Sequence, residues 1–350
     1  MSKYKKIIVD CDKPLLSAAV AVEQTFCKVK NKHNGEERVF RNQTEFWGHH
    51  AKKQGGQLSE WKNFLGCDHI DADDFTIEEG SILSEDIEDH LGEAKLRFGW
   101  FIGKIKKLIN EGLADDYELA IHGEGNFRYD VANIVPYKHG RKDKPILFYE
   151  LKEEIISQYK NKVKLVNEIE VDDYVSIKGW ENYRYHLKTG KWEYLLAYQD
   201  KDLTMTPSPM INYDKVEEGV KVISPKEAAL AYATQLLSGD KAVDNIIGLP
   251  QLGEVTRKQY NLRKGGVGKA TALAILEGAD IKQMFQRVVE AYKDYYLEPT
   301  TFKSWRGEEL IYTWLDYLNE NARLLYMLRA VEEKDTYNIT QTLDRLGVEY

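Results

Sequence analysis

The sequence predicts an α/β fold with a mostly parallel central sheet flanked by helices, followed by a helical C-terminal region. Three observations carry that prediction. The apolar run from Lys6 to Asp10 (KIIVD) ends in an acid and leads into an Ala- and Val-rich stretch with helical character. Helical and strand patterns then alternate to about residue 200, which calls for parallel strands joined by crossover helices on both faces of the sheet. From Pro225 onward the pattern is helical alone.

Taken in order, a strand at 6–10 is followed by a helix over 14–26. Residues 28–40 carry Asn34-Gly35 between β-tolerant flanks, a hairpin signal that His33 weakens by interrupting the alternation. Residues 94–111 put Leu96, Phe101, Ile105 and Leu108 on one helical stripe, and 117–122 (YELAIH) reads as a strand. A helix about 147–160, a short strand at 163–166, a helix from about 170 and a strand at 192–198 (WEYLLAY) complete this part. Helices are expected at 225–237, 268–277, 280–294, 306–319 and 321–333. The expected division is therefore an α/β region over 1–225 and a helical region over 226–350, with no internal repeat or low-complexity tract.

At 350 residues, 43% hydrophobic and 30% charged, the chain can bury one large core or two ordinary ones, which excludes a disordered or fibrous protein. Mean hydropathy is −0.53, and no run approaches the roughly 18 apolar residues of a membrane span. The N-terminus, MSKYKKIIVDCDK, has only three apolar residues in a row before Asp10, too few for a secretory signal, so a soluble, cytoplasmic protein is expected. Three cysteines, Cys11, Cys27 and Cys67, form no CxxC pair and suit free thiols in a reducing compartment. Cys67, His69, His49 and His50 do not have the spacing of a structural zinc site.

The net charge of −8 argues against a nucleic-acid partner until it is located. Eleven acids and no Lys or Arg lie between Asp68 and Glu93, so that segment carries −11 and leaves +3 for the rest. Its DADDFTIEEGSI does not fit an EF-hand loop, because Phe75, Thr76 and Ile82 stand where an oxygen ligand, a glycine and a glutamate belong. A solvated acidic face or loop is the expectation.

Four groups of carboxylates follow apolar strands or open helices: Asp10 and Asp12; Glu170, Asp172 and Asp173; Asp200 and Asp202; Asp240 and Asp244. In a parallel sheet the carboxyl ends of strands converge on one crevice, so acids far apart in sequence can meet there. Any one of them is equally a helix cap or turn residue. Together they would repel one another unless cations neutralise them, and an all-oxygen set suits Mg²⁺, or two such ions about 4 Å apart in phosphodiester hydrolysis.

Two basic segments accompany the acids. Residues 136–145, PYKHGRKDKP, hold Lys138, Arg141, Lys142 and Lys144 against Asp143 alone, with Arg128 close by in sequence. They read as an ordered basic loop or short helix able to contact phosphates, or as an ordinary solvated charge run. Residues 257–269, RKQYNLRKGGVGK, hold five basic residues and no acid, and their glycines lead into a helix whose N-terminal amides suit a phosphate. A P-loop is excluded, since Arg263 stands in place of its first glycine and Ala270 in place of its Ser or Thr.

In order, VDCD at 9–12, NFRYD at 126–130, YKHGRKDKP at 137–145, EVDDYVS at 170–176, QDKDL at 199–203, SGDKAVDNIIG at 238–248 and GGVGKATALAIL at 265–276 resemble the 5′→3′ exonuclease and flap endonuclease family, in the style of bacteriophage 5′-nucleases. The resemblance spans about residues 6–277, with no clear signal in 41–95 or after 300. It implies a PIN-like 5′-nuclease core over 1–225, a basic arch near 123–168 and a helix-hairpin-helix-type module in the helical region. By resemblance, Asp10, Glu170, Asp172, Asp173, Asp200, Asp202, Asp240 and Asp244 are the metal-site acids for two Mg²⁺ or Mn²⁺ ions. Lys138 and Arg141 are arch residues that grip the scissile phosphate, and Tyr137 is a stacking partner. Arg128 and Lys142 join the DNA-binding set, as do Arg263, Lys264, Gly265, Gly266, Gly268 and Lys269 of the hairpin, where K⁺ often binds. The implied activity is hydrolysis of DNA at 5′ ends and flaps, with RNA primers and RNA:DNA hybrids as further substrates, in phage replication, recombination or repair.

Three departures stand out. Gly123, with Glu124 beside it, occupies the position where the family has an aspartate ahead of the FR pair. The GDxxDN spacing is one residue longer, giving Asp240 and Asp244, which would still share one face if helical. The stretch from Gly248 to Gly265 is also long. A catalytically weak DNA-binding relative and a PIN-like ribonuclease are the alternatives, the second disfavoured by the helical module expected within 225–277.

Overall fold

The computed structural model describes residues 2–47, 72–241 and 244–350. In chain order the strands are β1 (Tyr4–Asp10), β2 (Glu23–Asn31), β3 (Glu37–Phe40), β4 (Phe75–Leu83), β5 (Ala114–His122), β6 (Val163–Val166), β7 (Tyr194–Tyr198), β8 (Pro209–Asn212), β9 (Lys221–Val222), β10 (Thr300–Lys303) and β11 (Glu309–Tyr312). The first helices are α1 (Asp12–Val20), α2 (Gln43–Trp47), α3 (His90–Asn110), α4 (Arg128–Val131), α5 (Phe148–Gln158) and α6 (Val171–Thr189). They are followed by α7 (Pro225–Ser238), α8 (Glu254–Gln259), α9 (Lys269–Leu276), α10 (Ile281–Tyr295), α11 (Trp314–Leu325), α12 (Glu333–Thr336) and α13 (Ile339–Leu346).

The chain divides into two compact units. One comprises Met1–Asp12, Lys104–Lys142 and Asn161–Tyr350; the other comprises Lys13–Gly103 and Asp143–Lys160. The first holds a six-stranded sheet in the order β6-β5-β1-β7-β8-β9, parallel throughout except for the β8–β9 pair. Ile7, Val9, Leu195 and Ala197 are completely buried, as are Leu119 and Ala120. Consecutive burial of this kind is the mark of central parallel strands covered on both faces, and it explains why IIV and LLA are unbroken apolar runs. Helix α6 packs on β1, β5 and β7. Its N-terminus is a reciprocal cap between Glu170 and Asp173, and its C-terminus is Gly190 in the left-handed region at φ +71°.

The change of pattern at 225 is a real element boundary, where Ser224 and Glu227 form a capping box around Pro225. The core does not change there. Ile8 and Leu196 of the sheet belong to the same buried cluster as Tyr232, Leu236 and Tyr292, so the helical region and the sheet share one compact unit.

The helix expected over 306–319 is corrected. Residues 300–312 form an antiparallel hairpin, β10–β11, turning through Gly307 at φ +90°. Thr300, Thr301, Ile311 and Tyr312 favour strands, and Gly307 supplies a backbone conformation that side chains resist. Helix α11 starts only after Thr313, which caps it together with Asp316, and it ends at Leu325, inside the second expected helix at 321–333.

In the second unit, β3, β2 and β4 form an antiparallel sheet in that order, with β2 and β3 joined through Gly35 as the Asn34-Gly35 signal predicts. Phe46, Phe75, Cys27 and Val29 pack beneath it. The acidic segment is not simply a solvated loop: β4 is a strand, and Glu78 lies opposite Lys28 in the register. Cys67, His69, His49 and His50 lie outside the described residues. Among the described residues no helix is long and apolar enough to cross a membrane.

Candidate active site

The acids gather where parallel strands end. Asp10, the last residue of β1, is 7% exposed, and its Oδ1 accepts the Asp12 amide at 3.1 Å. Asp12 Oδ1 in turn accepts the amide of His122 at 3.1 Å, tying the end of β1 to the end of β5. Beyond β7, Asp200 caps the short 3-10 turn at 201–205 and accepts the Asp202 amide at 3.0 Å, while Asp202 accepts from Gln235 Nε2. Glu170 is the N-cap of α6 and accepts Asn126 Nδ2 at 2.8 Å.

Asp240 and Asp244 do not share a helical face. Asp240 pairs in an antiparallel bridge with Ile246, its amide donating to Ile246 O at 2.9 Å and its carbonyl accepting the Ile246 amide at 3.0 Å. Gly239 and Gly248 pinch the base of this loop. A Cβ on Gly239 would lie 2.3 Å from Ile246 O, and one on Gly248 would lie 2.3 Å from the Gly239 amide, so the added residue is absorbed by a bridged loop that only glycines can close.

Electrostatically these acids form one group. Burial first, then Asp12, with Asp200 and Glu170 contributing, pushes Asp10 up to about 7. Burial and Asp200 push Asp202 up to about 6. Asp172 is held well above the ordinary carboxylate range by burial and by Glu170 and Asp173. Burial also raises Asp244, more than Lys138 and Arg141 lower it. Glu170 is the exception: burial would raise it, but Lys138 and Arg128 outweigh that and hold it down at about 2.

The basic residues predicted from 136–145 reach these acids from a loop, with Lys138 in the left-handed region at φ +56°. Lys138 Nζ pairs with Glu170, Arg141 pairs with Asp244, and the Lys138 amide donates to Asp244 O at 2.9 Å. Tyr137 is 5% exposed, and its hydroxyl donates to Glu170 at 3.2 Å and Asp244 at 3.3 Å, so it is part of the floor of the site and its ring does not lie open for stacking. Lys142 is exposed on the same loop.

Arg128 and Asp173 take a different role from the expected one. Arg128 is 2% exposed and Asp173 fully buried. Arg128 Nη2 donates to Asp173 Oδ1 at 2.8 Å and to Tyr326 O at 2.8 Å, and Nε donates to Leu324 O at 2.8 Å. This buried pair locks α4 to α6 and to the end of α11, which leaves the guanidinium inaccessible to a phosphate and commits the Asp173 carboxylate inside the protein.

An aspartate at Gly123 would require the Asn167 side chain to move. A Cβ there would lie 1.8 Å from Asn167 Oδ1 and 3.1 Å from Val166 O, because the Gly123 amide donates to Val166 O at 2.7 Å. Glu124 is exposed beside it. Sequence reasoning passed over Asn126, Gln235 and Lys201, whose Nζ pairs with Asp240 at 2.9 Å. Lys201 had a readable signal, standing between Asp200 and Asp202; the other two depend on the tertiary fold.

Farther along, α8 and α9 are joined by residues 260–268, where Gly266 bridges to Gln251. Arg263, Lys264 and Lys269 are exposed, and added Cβ atoms on Gly265 and Gly268 would meet nothing within 4 Å. Gly268 is the N-cap of α9 without a side-chain cap, so the first amides of that helix are open to approach.

Among the described residues, no three carboxylates, imidazoles or thiols surround one point as the side chains stand; Glu170, Asp244 and Asp240 are each turned to a cation of the chain. The donor set still suits a hard divalent ion. It is all oxygen, and Asp10, Asp172 and Asp202 are shifted upward, Asp172 despite Arg128 and Lys138 and Asp202 despite Lys201.

No family model and no curated protein matches the chain. Among solved structures it is similar to a mutant of T5 5′-exonuclease, with 14% sequence identity and a TM-score of 0.37 over 72% of this chain and 91% of that one.

Proposed function

We propose that the chain is a metal-dependent nuclease that hydrolyses phosphodiester bonds at 5′ ends and flaps of DNA. The observation that carries this reading is the convergence of acids from four separate segments, with Asp10 buried, Asp172 and Asp202 half-buried and all three shifted upward, beside cations on the loop at 138–141. Mutual repulsion in a buried group is costly unless something with more charge than the chain supplies is meant to bind. Asp10, Glu170, Asp172, Asp200 and Asp202 would hold Mg²⁺ or Mn²⁺, with Asp240 and Asp244 alongside. The ions would supply activation of an attacking water and neutralisation of the leaving oxygen.

The chain's own residues do the rest. Lys138 and Arg141 already lie against Glu170 and Asp244, so a phosphate at the acids meets two cations placed where charge grows during cleavage. Asn126 and Tyr137 orient Glu170 by hydrogen bonds. Arg263, Lys264 and Lys269, with the open backbone at 265–268, suit sequence-independent contacts to a duplex backbone. Gly123 favours a second reading, a catalytically weak DNA-binding relative, because that position cannot contribute a carboxylate.

Digestion of 5′-labelled duplex, flap and RNA:DNA substrates with Mg²⁺ or with excess EDTA tests the proposal. Mg²⁺-dependent release of short 5′ products is expected, and Lys138→Ala should lower the single-turnover rate more than it weakens binding. Tight binding without cleavage would establish the second reading, and full activity in EDTA would refute the site.

A further inference from the structure

We propose that Tyr129 and Trp305, with Arg306, form a stacking site for an unpaired base of a strand that leads to the carboxylates. The inference deepens the nuclease reading and rests on it. Two large aromatic side chains are exposed here, Tyr129 at 51% and Trp305 at 47%. Trp305 is held by hydrogen bonds and Tyr129 by a ring contact. Trp305, at the tip of the β10–β11 hairpin, donates its Nε1–H to Ala132 O at 2.9 Å and its amide to Asn133 O at 3.2 Å. Arg306 donates to Ala132 O at 2.7 Å and to Asn133 Oδ1 at 2.8 Å, and its guanidinium lies 4.6 Å from the Trp305 ring.

The hairpin is thus fastened to the stretch that runs from α4 to Tyr137. Tyr129 stands edge-on to Tyr137, with ring centroids 5.6 Å apart, and Tyr137 touches Glu170 and Asp244. One tyrosine ring therefore separates Tyr129 from the acids. Fixed, half-exposed aromatic faces with a guanidinium are what sequence-tolerant recognition of unpaired bases needs, since every base has a face to stack and the cation favours the strand's charge. A blunt duplex end exposes only the outer face of its last pair, whereas an unpaired base offers both faces and a flexible backbone, so the occupant is the single-stranded part of the substrate and the blunt duplex is its control.

The test is binding by fluorescence anisotropy in EDTA, where no cleavage occurs, to one duplex prepared blunt and with a 5′ single-stranded overhang. Wild type is expected to prefer the overhang. Tyr129→Ala and Trp305→Ala should each lose about fivefold or more of the overhang affinity and leave blunt-duplex affinity unchanged. Trp305→Phe keeps a stacking ring but loses the bond to Ala132 O, and should retain most of the preference. Tyr129→Ala leaves the backbone carbonyl that Arg306 uses in place, so misfolding is not its expected effect. Overhang affinity unchanged in both alanine variants overturns the proposal. So does a Trp305→Phe variant as weak as Trp305→Ala, which would make the residue a strut for residues 129–133. Failure of wild type to bind either DNA would instead overturn the nuclease reading beneath it.

Discussion

Asp10 shows how a single residue records the demands of the site. Its carboxyl is raised to about 7 by burial and by Asp12, against an ordinary carboxylate near 3.9. Between those values the folded protein keeps a proton that the unfolded chain has lost, so this group's contribution to stability falls as pH rises through that window, and its full cost is present above about 7. Asp10→Asn removes the cost. In EDTA the variant should be more stable than wild type by about 1–3 kcal/mol at pH 8, with the difference shrinking toward pH 5, measured by urea denaturation at both values. The strand-then-acid pattern that exposes Asp10 is local, which is why it, Asp200 and the Glu170 group were legible in the sequence. Arg128 and Asp173 carried the same local pattern, yet their pairing with each other and with Leu324 and Tyr326 depends on contacts across the chain that no spacing announces.

Among the elements, α4, α6 and α11 are joined through that buried pair. Asp173→Asn leaves the Arg128 charge inside the protein without its partner and should cost about 3–5 kcal/mol of stability. Arg128→Met should cost a comparable amount, and the double variant markedly less than the sum, because each single change strands the other group. Thermal and urea unfolding of the three variants checks this, and additive losses would mean the two residues act separately. The β10–β11 hairpin is an element that sequence reading missed, as are β4, β8 and β9. Residues 306–319 carry a helix-like mixture of charges and apolar side chains, and the decisive signals, Gly307 at φ +90° and the strand-favouring residues on either side, sit partly before that window. The central strands were read correctly for the opposite reason: burial on both faces writes itself as unbroken apolar runs.

For the whole molecule, the parallel order β5-β1-β7 explains how Asp10, Asp12 and Asp200 come together, since parallel neighbours end at the same edge, while Asp240 and Asp244 come from the bridged loop after α7. The chain's net charge of −8 is no obstacle to a polyanionic partner, because eleven of its acids lie between Asp68 and Glu93, while 138–142 and 263–269 are basic segments of the sequence. Under the proposed function these acids require an ion, since Asp10, Asp172 and Asp202 are shifted upward and the chain's own cations do not cancel those shifts. The most direct test is Mn²⁺ binding by titration calorimetry, comparing wild type with the Asp10→Asn, Asp200→Asn double variant. Wild type should bind Mn²⁺, and the folded double variant should bind it at least about tenfold more weakly, because both removed charges belong to the proposed ligand set. Equal binding by the two proteins, or none by wild type at concentrations that support cleavage, would contradict the account.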